Sequence, residues 1–189
     1  LANQWVIVDA ASSKKAEEFL DLLRQTIGSL PVIPLNTEVT PTTLMTHWLN
    51  DISSRPAGLA LNGQCELRSD LDEGSVIRCK QQELDAEDVL AHLQAGKQVT
   101  KLAIDWQERV QCILNEDLSI KRLRFGDDLL DEAQDSYADE DPMTRLDADF
   151  TLMTLELQRF LHELIGWLGG IHNSAKAGEK ANQKDAEEA

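Results

Sequence analysis

The chain has 189 residues, 42% of them hydrophobic, and its 34 Asp and Glu against 18 Lys and Arg leave a formal net charge of -16. That length and apolar content suffice for one substantial core or two small ones and exclude a wholly disordered chain. No apolar run is long enough to span a bilayer, and the start at Leu1 lacks the basic-then-apolar pattern of a signal peptide, so the expectation is a soluble, non-exported, cytoplasmic protein.

The beginning reads as a β-α-β-α segment over residues 1–52. Trp5 to Val8 is a short apolar run suited to a buried strand, and the chain opens almost directly on it, as though cut from a longer polypeptide. Ser12 or Ser13 can cap the helix that follows, where Ala16, Phe19, Leu20, Leu23 and Ile27 recur at helical spacing until Gly28 ends it. Pro31 to Leu35 reads as a second strand, confined to an edge because Pro31 and Pro34 donate no hydrogen bond. Thr40-Pro41 then starts a helix with Leu44, Met45, Trp48 and Leu49 on its inner side.

Residues 53–125 are expected to hold a loop from Ser53 to Gly63, strands at Cys65 to Arg68 and Val76 to Lys80, a helix Ala86 to Ala95 capped by Asp85, and a three-strand meander. Thr100, Leu102, Ile104 and Trp106 alternate against Lys101, Ala103 and Asp105, while Val110, Cys112 and Leu114 alternate against Arg109 and Gln111, the period-two mark of half-buried strands. On the third strand Arg122 and Arg124 point one way, and Lys121, Leu123 and Phe125 the other. Cys65, Cys79 and Cys112, odd in number and set in apolar patterns, suit reduced thiols better than disulfides.

From Gly126 to Asp149 there are ten Asp or Glu residues against Arg145 alone, with a short helix expected at Asp127 to Ala133 before an exposed loop. The spacing does not reproduce an EF-hand loop, so no metal is implied. Pro142 opens the longest helix, whose Leu146, Phe150, Met153, Leu157, Leu161, Leu164 and Leu168 form one apolar stripe ending at Gly169-Gly170. Residues 173–189 carry no large apolar group and are expected to be a disordered tail. The sum is an α+β fold over residues 1–172: mixed or antiparallel sheets with a β-meander, packed by amphipathic helices and a long C-terminal helix.

Charge is sorted along this sequence. Across Ser75 to Phe125 acidic and basic side chains balance at eight each, so the whole negative excess lies outside that stretch. A face that must approach a polyanion requires such sorting. Arg109, Gln111, Arg122 and Arg124, if strand pairing brings them together, would form a donor array for phosphate oxygens. A solvated sheet face explains the same charges more plainly. No Gly-rich phosphate loop, nucleophile elbow, dinucleotide fingerprint or paired metal ligands occur, so neither catalysis nor a cofactor is expected. With no helix-turn-helix, zinc finger or aromatic stacking platform, any DNA contact should be to backbone.

Several strings carry more than their chemistry. Ala11-Ser12-Ser13-Lys14-Lys15-Ala16-Glu17, Gly28-Ser29-Leu30-Pro31-Val32-Ile33-Pro34-Leu35, Gly96-Lys97-Gln98-Val99-Thr100-Lys101-Leu102-Ala103-Ile104-Asp105-Trp106-Gln107, Ser119-Ile120-Lys121-Arg122-Leu123-Arg124-Phe125 and Asp147-Ala148-Asp149-Phe150-Thr151-Leu152-Met153-Thr154 resemble the bacterial recombination-associated RdgC family. The likeness runs from Trp5 to Gly170 and corresponds to the later, larger part of that family. It implies a nucleoid-associated protein that binds double-stranded DNA with little sequence preference, forms a ring-shaped homodimer around the duplex and restrains RecA-promoted recombination. By position, Arg78, Lys80, Lys97, Lys101, Lys121, Arg122 and Arg124 are then the candidates for the inner wall of that ring, with Arg109 added by the strand pattern. The family pattern lapses at Gln81-Gln82, where a second basic residue would follow Lys80. The rival readings are an acidic protein-interaction module built on Asp127 to Asp149, and a scaffold whose long helix forms an oligomer seam.

Overall fold

The computed structural model describes residues 5–69, 75–129, 131 and 141–172. Contacts divide the chain into two units, Leu1–Leu35 and Asn36–Ala189.

In the first unit, Ser12 caps helix α1 (Ser13–Ile27) by accepting from the Lys15 amide, and Gly28 stops it in the left-handed conformation at φ 82. Nothing on α1 is buried, and Phe19, Leu22 and Ile27 are exposed. The strands expected at Trp5 to Val8 and Pro31 to Leu35 are not formed: residues 5–10 and 29–36 carry no regular element. A strand is defined by a neighbour that takes its backbone bonds. Within 29–36 the chain instead closes on itself locally, the Val32 amide donating to the Leu30 carbonyl at 2.9 Å.

The second unit is built on a five-stranded antiparallel sheet of β1 (Leu59–Ser69), β2 (Val76–Lys80), β3 (Lys97–Trp106), β4 (Val110–Asn115) and β5 (Ile120–Phe125), in the order β2-β1-β3-β4-β5. The meander is therefore β3-β4-β5. Strand β1 begins within the expected loop, since Leu59 and Leu61 stand opposite Trp106 and Ile104, and the register slips between Leu61 and Cys65. Gly63, at φ 55, sits within that slip.

One sheet face is core. Cys79, Cys65, Leu102, Leu114 and Ile120 lie opposite one another across all five strands, and Leu67, Val99, Ile104, Trp106, Val110 and Cys112 extend that face. The three thiols are free, and burial, aided by the adjoining Cys79, pushes the Cys65 thiol up to about 12.

Helix α2 (Pro41–Asn50) lays Leu44, Met45, Trp48 and Leu49 onto this face, and its Thr46 hydroxyl accepts from the Val99 amide at 2.9 Å. Helix α3 (Glu87–Gln94) adds Val89 and Leu93. Its N-cap is Ala86, without a side-chain bond, so Asp85 does not cap it; Asp88 instead accepts from the Val89 amide. Helix α4 (Pro142–Trp167), capped by Asp141, packs through its second half, where Phe160 tilts against Trp106 at 5.5 Å and Trp167 meets Trp48 edge-on at 5.6 Å.

The expected stripe on α4 is thus two stripes. Glu156, Phe160, Leu164 and Leu168, at four-residue steps, are buried, whereas Met143, Leu146, Phe150 and Met153 are exposed. Residues 127–129 and 131 are helical, as expected for the start of the helix at Asp127 to Ala133, and Leu129 is buried. The rest of the acidic segment between β5 and α4, and the tail 173–189, lie outside the described residues.

Candidate nucleic-acid interface

With α2, α3 and α4 on one side, the other face of the sheet carries polar side chains, and strand register decides which. Arg78 stands opposite Glu66, Lys80 opposite Gln64, Glu66 opposite Lys101, and Gln111 opposite Arg124. Residues directly opposite share a face, so Arg78, Lys80, Lys101 and Arg124 all lie on the open side.

Strand β5 holds a device that periodicity does not show. Gln111 pairs with Arg124 and Ile113 with Lys121, so two residues of β5, Arg122 and Leu123, oppose Cys112 alone. This is a β-bulge. An unbroken strand would put Lys121 and Arg124 on opposite faces; the extra residue brings Lys121 onto the face of Arg124. That corrects the expected grouping of Lys121 with Leu123 and Phe125. The bulge also sets Arg122 at φ 52, and its guanidinium crosses the sheet to reach Gln64 Oε1 at 3.5 Å.

Arg78, Lys80, Lys101 and Arg122 surround a depression of about 240 Å³ floored by Gln64, Glu66 and Ile113. Glu66 is bound there by Arg78 Nε at 2.8 Å and Lys101 Nζ at 3.0 Å, with Arg68 3.6 Å away. Burial pushes the Glu66 carboxyl up, but the bonds and charges of Lys101 and Arg78 outweigh it and hold the group below the usual carboxylate value. Among the described residues no carboxylate lies within ion-pair distance of Lys80, Lys121, Arg122 or Arg124. Asp117, kept low against its burial mainly by Ser119, also feels the Lys121 charge.

Two expected members lie elsewhere. Lys97 shares the face of Val99, because the register slip between Glu66 and Leu67 turns the start of β3 over, and its ammonium donates to Ser75. Arg109 turns toward α4, where its Nε and a terminal nitrogen hold Glu156 at 2.8 and 3.2 Å. Gly126 keeps the chain close to that turn: a Cβ there would fall 1.9 Å from the Glu108 carbonyl oxygen. Sequence reasoning overlooked Arg68, which bridges Glu66 and Glu116 on the open face, and its position two residues from Glu66 on a strand was the available signal.

The conformation of Arg122 carries a prediction. A left-handed backbone costs an L-residue about 1 kcal/mol, which glycine avoids. Arg122→Gly should therefore leave urea stability unchanged or raise it by up to about 1 kcal/mol while removing one cation from the face. A clear loss of stability would mean that the contact with Gln64 outweighs the backbone strain.

Residues 1–171 match the family model described as "Putative exonuclease, RdgC". The "Recombination-associated protein RdgC" of Tolumonas auensis is 48% identical over 169 residues, covering 89% of this chain and 55% of the relative. A protein of the same name from Yersinia pestis (strain Pestoides F) is 49% identical over 168 residues, with the same shares of 89% and 55%. The chain spans about half the length of the curated relatives it matches. With residues 1–171 inside the family match, and about half of the residues identical to curated relatives over 89% of its length, the chain belongs to the RdgC family.

Proposed function

We propose that the open face of this sheet binds the backbone of double-stranded DNA with little sequence preference, as part of a homodimeric ring that encloses the duplex on the bacterial nucleoid and restrains RecA-promoted recombination. The observation that carries the reading is the bulge of β5, which gathers Lys121, Arg122 and Arg124 onto the face of Arg78, Lys80 and Lys101. Arg and Lys side chains on a fixed sheet supply directed donors for phosphate oxygens. The net charge of -16 does not oppose this. A ring retains DNA by topology, so only its inner wall must suit phosphate, while the outer surface can remain anionic. The names of the relatives support a place in recombination.

What favours binding over hydrolysis is the chemistry of the face. Two-metal phosphodiester cleavage needs converging metal ligands. Glu66, the carboxylate at the centre of this face, is instead engaged by Arg78 and Lys101. The test is retention of a short duplex by this chain across a salt series. Log affinity should fall linearly with log salt and be alike for unrelated sequences. Strong preference for one sequence, or no retention at low salt, sinks the reading for this chain.

A second reading has one specific observation behind it. Met143, Leu146, Phe150 and Met153 form an exposed apolar line on the first half of α4, the kind of stripe an oligomer seam uses. If that line holds two copies together, Phe150→Lys should convert a dimer to monomer in sedimentation without lowering the melting temperature. An unchanged dimer would remove the seam from this helix.

A further inference from the structure

Among the described residues Glu66 is the one buried carboxylate on the open face, and its side chain is only 7% exposed. It lies beneath the cations rather than beside them. A carboxylate so placed is tolerated only if hydrogen-bonded and paired. Its two oxygens are held separately, Oε2 by Arg78 Nε at 2.8 Å and Oε1 by Lys101 Nζ at 3.0 Å, while the Thr100 hydroxyl stands 3.5 Å from Oε1.

The manner of holding matters more than the charge. Arg78 is bound to Glu66 through Nε, which leaves its terminal amino groups for other acceptors, and its side chain is 66% exposed. Lys101 engages Glu66 with one of its three protons and is 43% exposed. Both cations are anchored at one edge and open at the other.

We infer that Glu66 is a positioning residue for the phosphate-binding face: its carboxylate fixes Arg78 and Lys101 so that their remaining donors converge, with Lys80 and Arg122, on one backbone phosphate over the depression they enclose. The inference rests on the DNA-binding reading above. Glu66 resembles the carboxylates that orient metal-bound histidines from behind, improving a contact they do not make themselves.

A purely electrostatic role predicts the opposite sign. If Glu66 acted only as a negative charge near DNA, removing it would tighten binding and steepen the salt dependence. If it positions, removing it frees two long side chains, and their directed bonds to phosphate are lost in spite of the more positive field.

The experiment compares duplex retention by the parent chain, Glu66→Ala, Glu66→Gln and the Arg122→Ala/Arg124→Ala double variant, with circular dichroism to confirm folding. Glu66→Ala should bind about tenfold more weakly than the parent at about 0.1 M salt, the effect of one charge-assisted bond to phosphate. Glu66→Gln keeps the shape and one acceptor and should fall between the two, so it carries the test if the alanine variant unfolds. A second readout needs no DNA: the Arg78 Nε–H resonance should be sharp and protected in the parent and lost in Glu66→Ala. Equal or tighter binding by both Glu66 variants, with the double variant still weakened, overturns the positioning role and leaves the DNA reading standing. No binding by the parent overturns the DNA reading and the phosphate role together, and an Arg78 signal indifferent to Glu66 refutes the anchoring itself.

Discussion

Arg109→Ala should destabilise the chain by about 3 kcal/mol, the size expected when one partner of a buried ion pair is removed. The Glu156 side chain is 3% exposed, and Arg109 holds both of its oxygens; the remaining contact, Arg159 at 3.3 Å, comes from a side chain 60% exposed. Arg109 therefore fastens the packed half of α4 to the turn before β4, and its loss strands a carboxylate against the core. The measurement is urea unfolding followed by circular dichroism. Replacing both partners with apolar residues, as in Arg109→Met with Glu156→Leu, should recover most of the loss, because the cost lies in the orphaned charge rather than in a missing attraction. Duplex retention by folded Arg109→Ala should match the parent. If instead the variant melts with the parent and loses DNA, Arg109 belongs to the binding face and the ion pair is incidental.

That contrast marks how far the residues alone lead. The meander, the α+β class, the starts of α2 and α4 and the inner faces of β3 and β4 follow from period-two and helical spacing, and the structure has them. The bulge does not follow, because one extra residue leaves composition and local propensity untouched while reversing the faces on one side of it. The face of Lys121 is misread for that reason, since it lies across the bulge from Arg124, and Lys97, a candidate through the family resemblance alone, is turned to the other face by the slip in β3. Glu156 was more legible than it looked. It precedes Phe160, Leu164 and Leu168 at four-residue steps, so a carboxylate on the buried stripe already called for a cation. The strands expected near Trp5 and Pro31 failed differently, since apolar content can propose a strand but only a neighbour can complete it.

Arg122→Ala together with Arg124→Ala should weaken duplex binding by about a hundredfold at about 50 mM salt and flatten the log-log salt slope by about 1.8. Each phosphate contact contributes about 0.9 to that slope, which amounts to roughly tenfold in affinity at that salt, and separate contacts add. The fold should not suffer. Both side chains are exposed, neither has a carboxylate partner among the described residues, and the bulge is a backbone feature that alanine retains. Stability and affinity should thus separate in opposite senses for the two kinds of arginine: Arg109→Ala should weaken the fold and spare duplex retention, while Arg122→Ala with Arg124→Ala should weaken retention and spare the fold. A double variant with the parent's slope would mean that the gathered cations on β5 meet only solvent, and the acidic or oligomeric surfaces would then have to account for the chain's role.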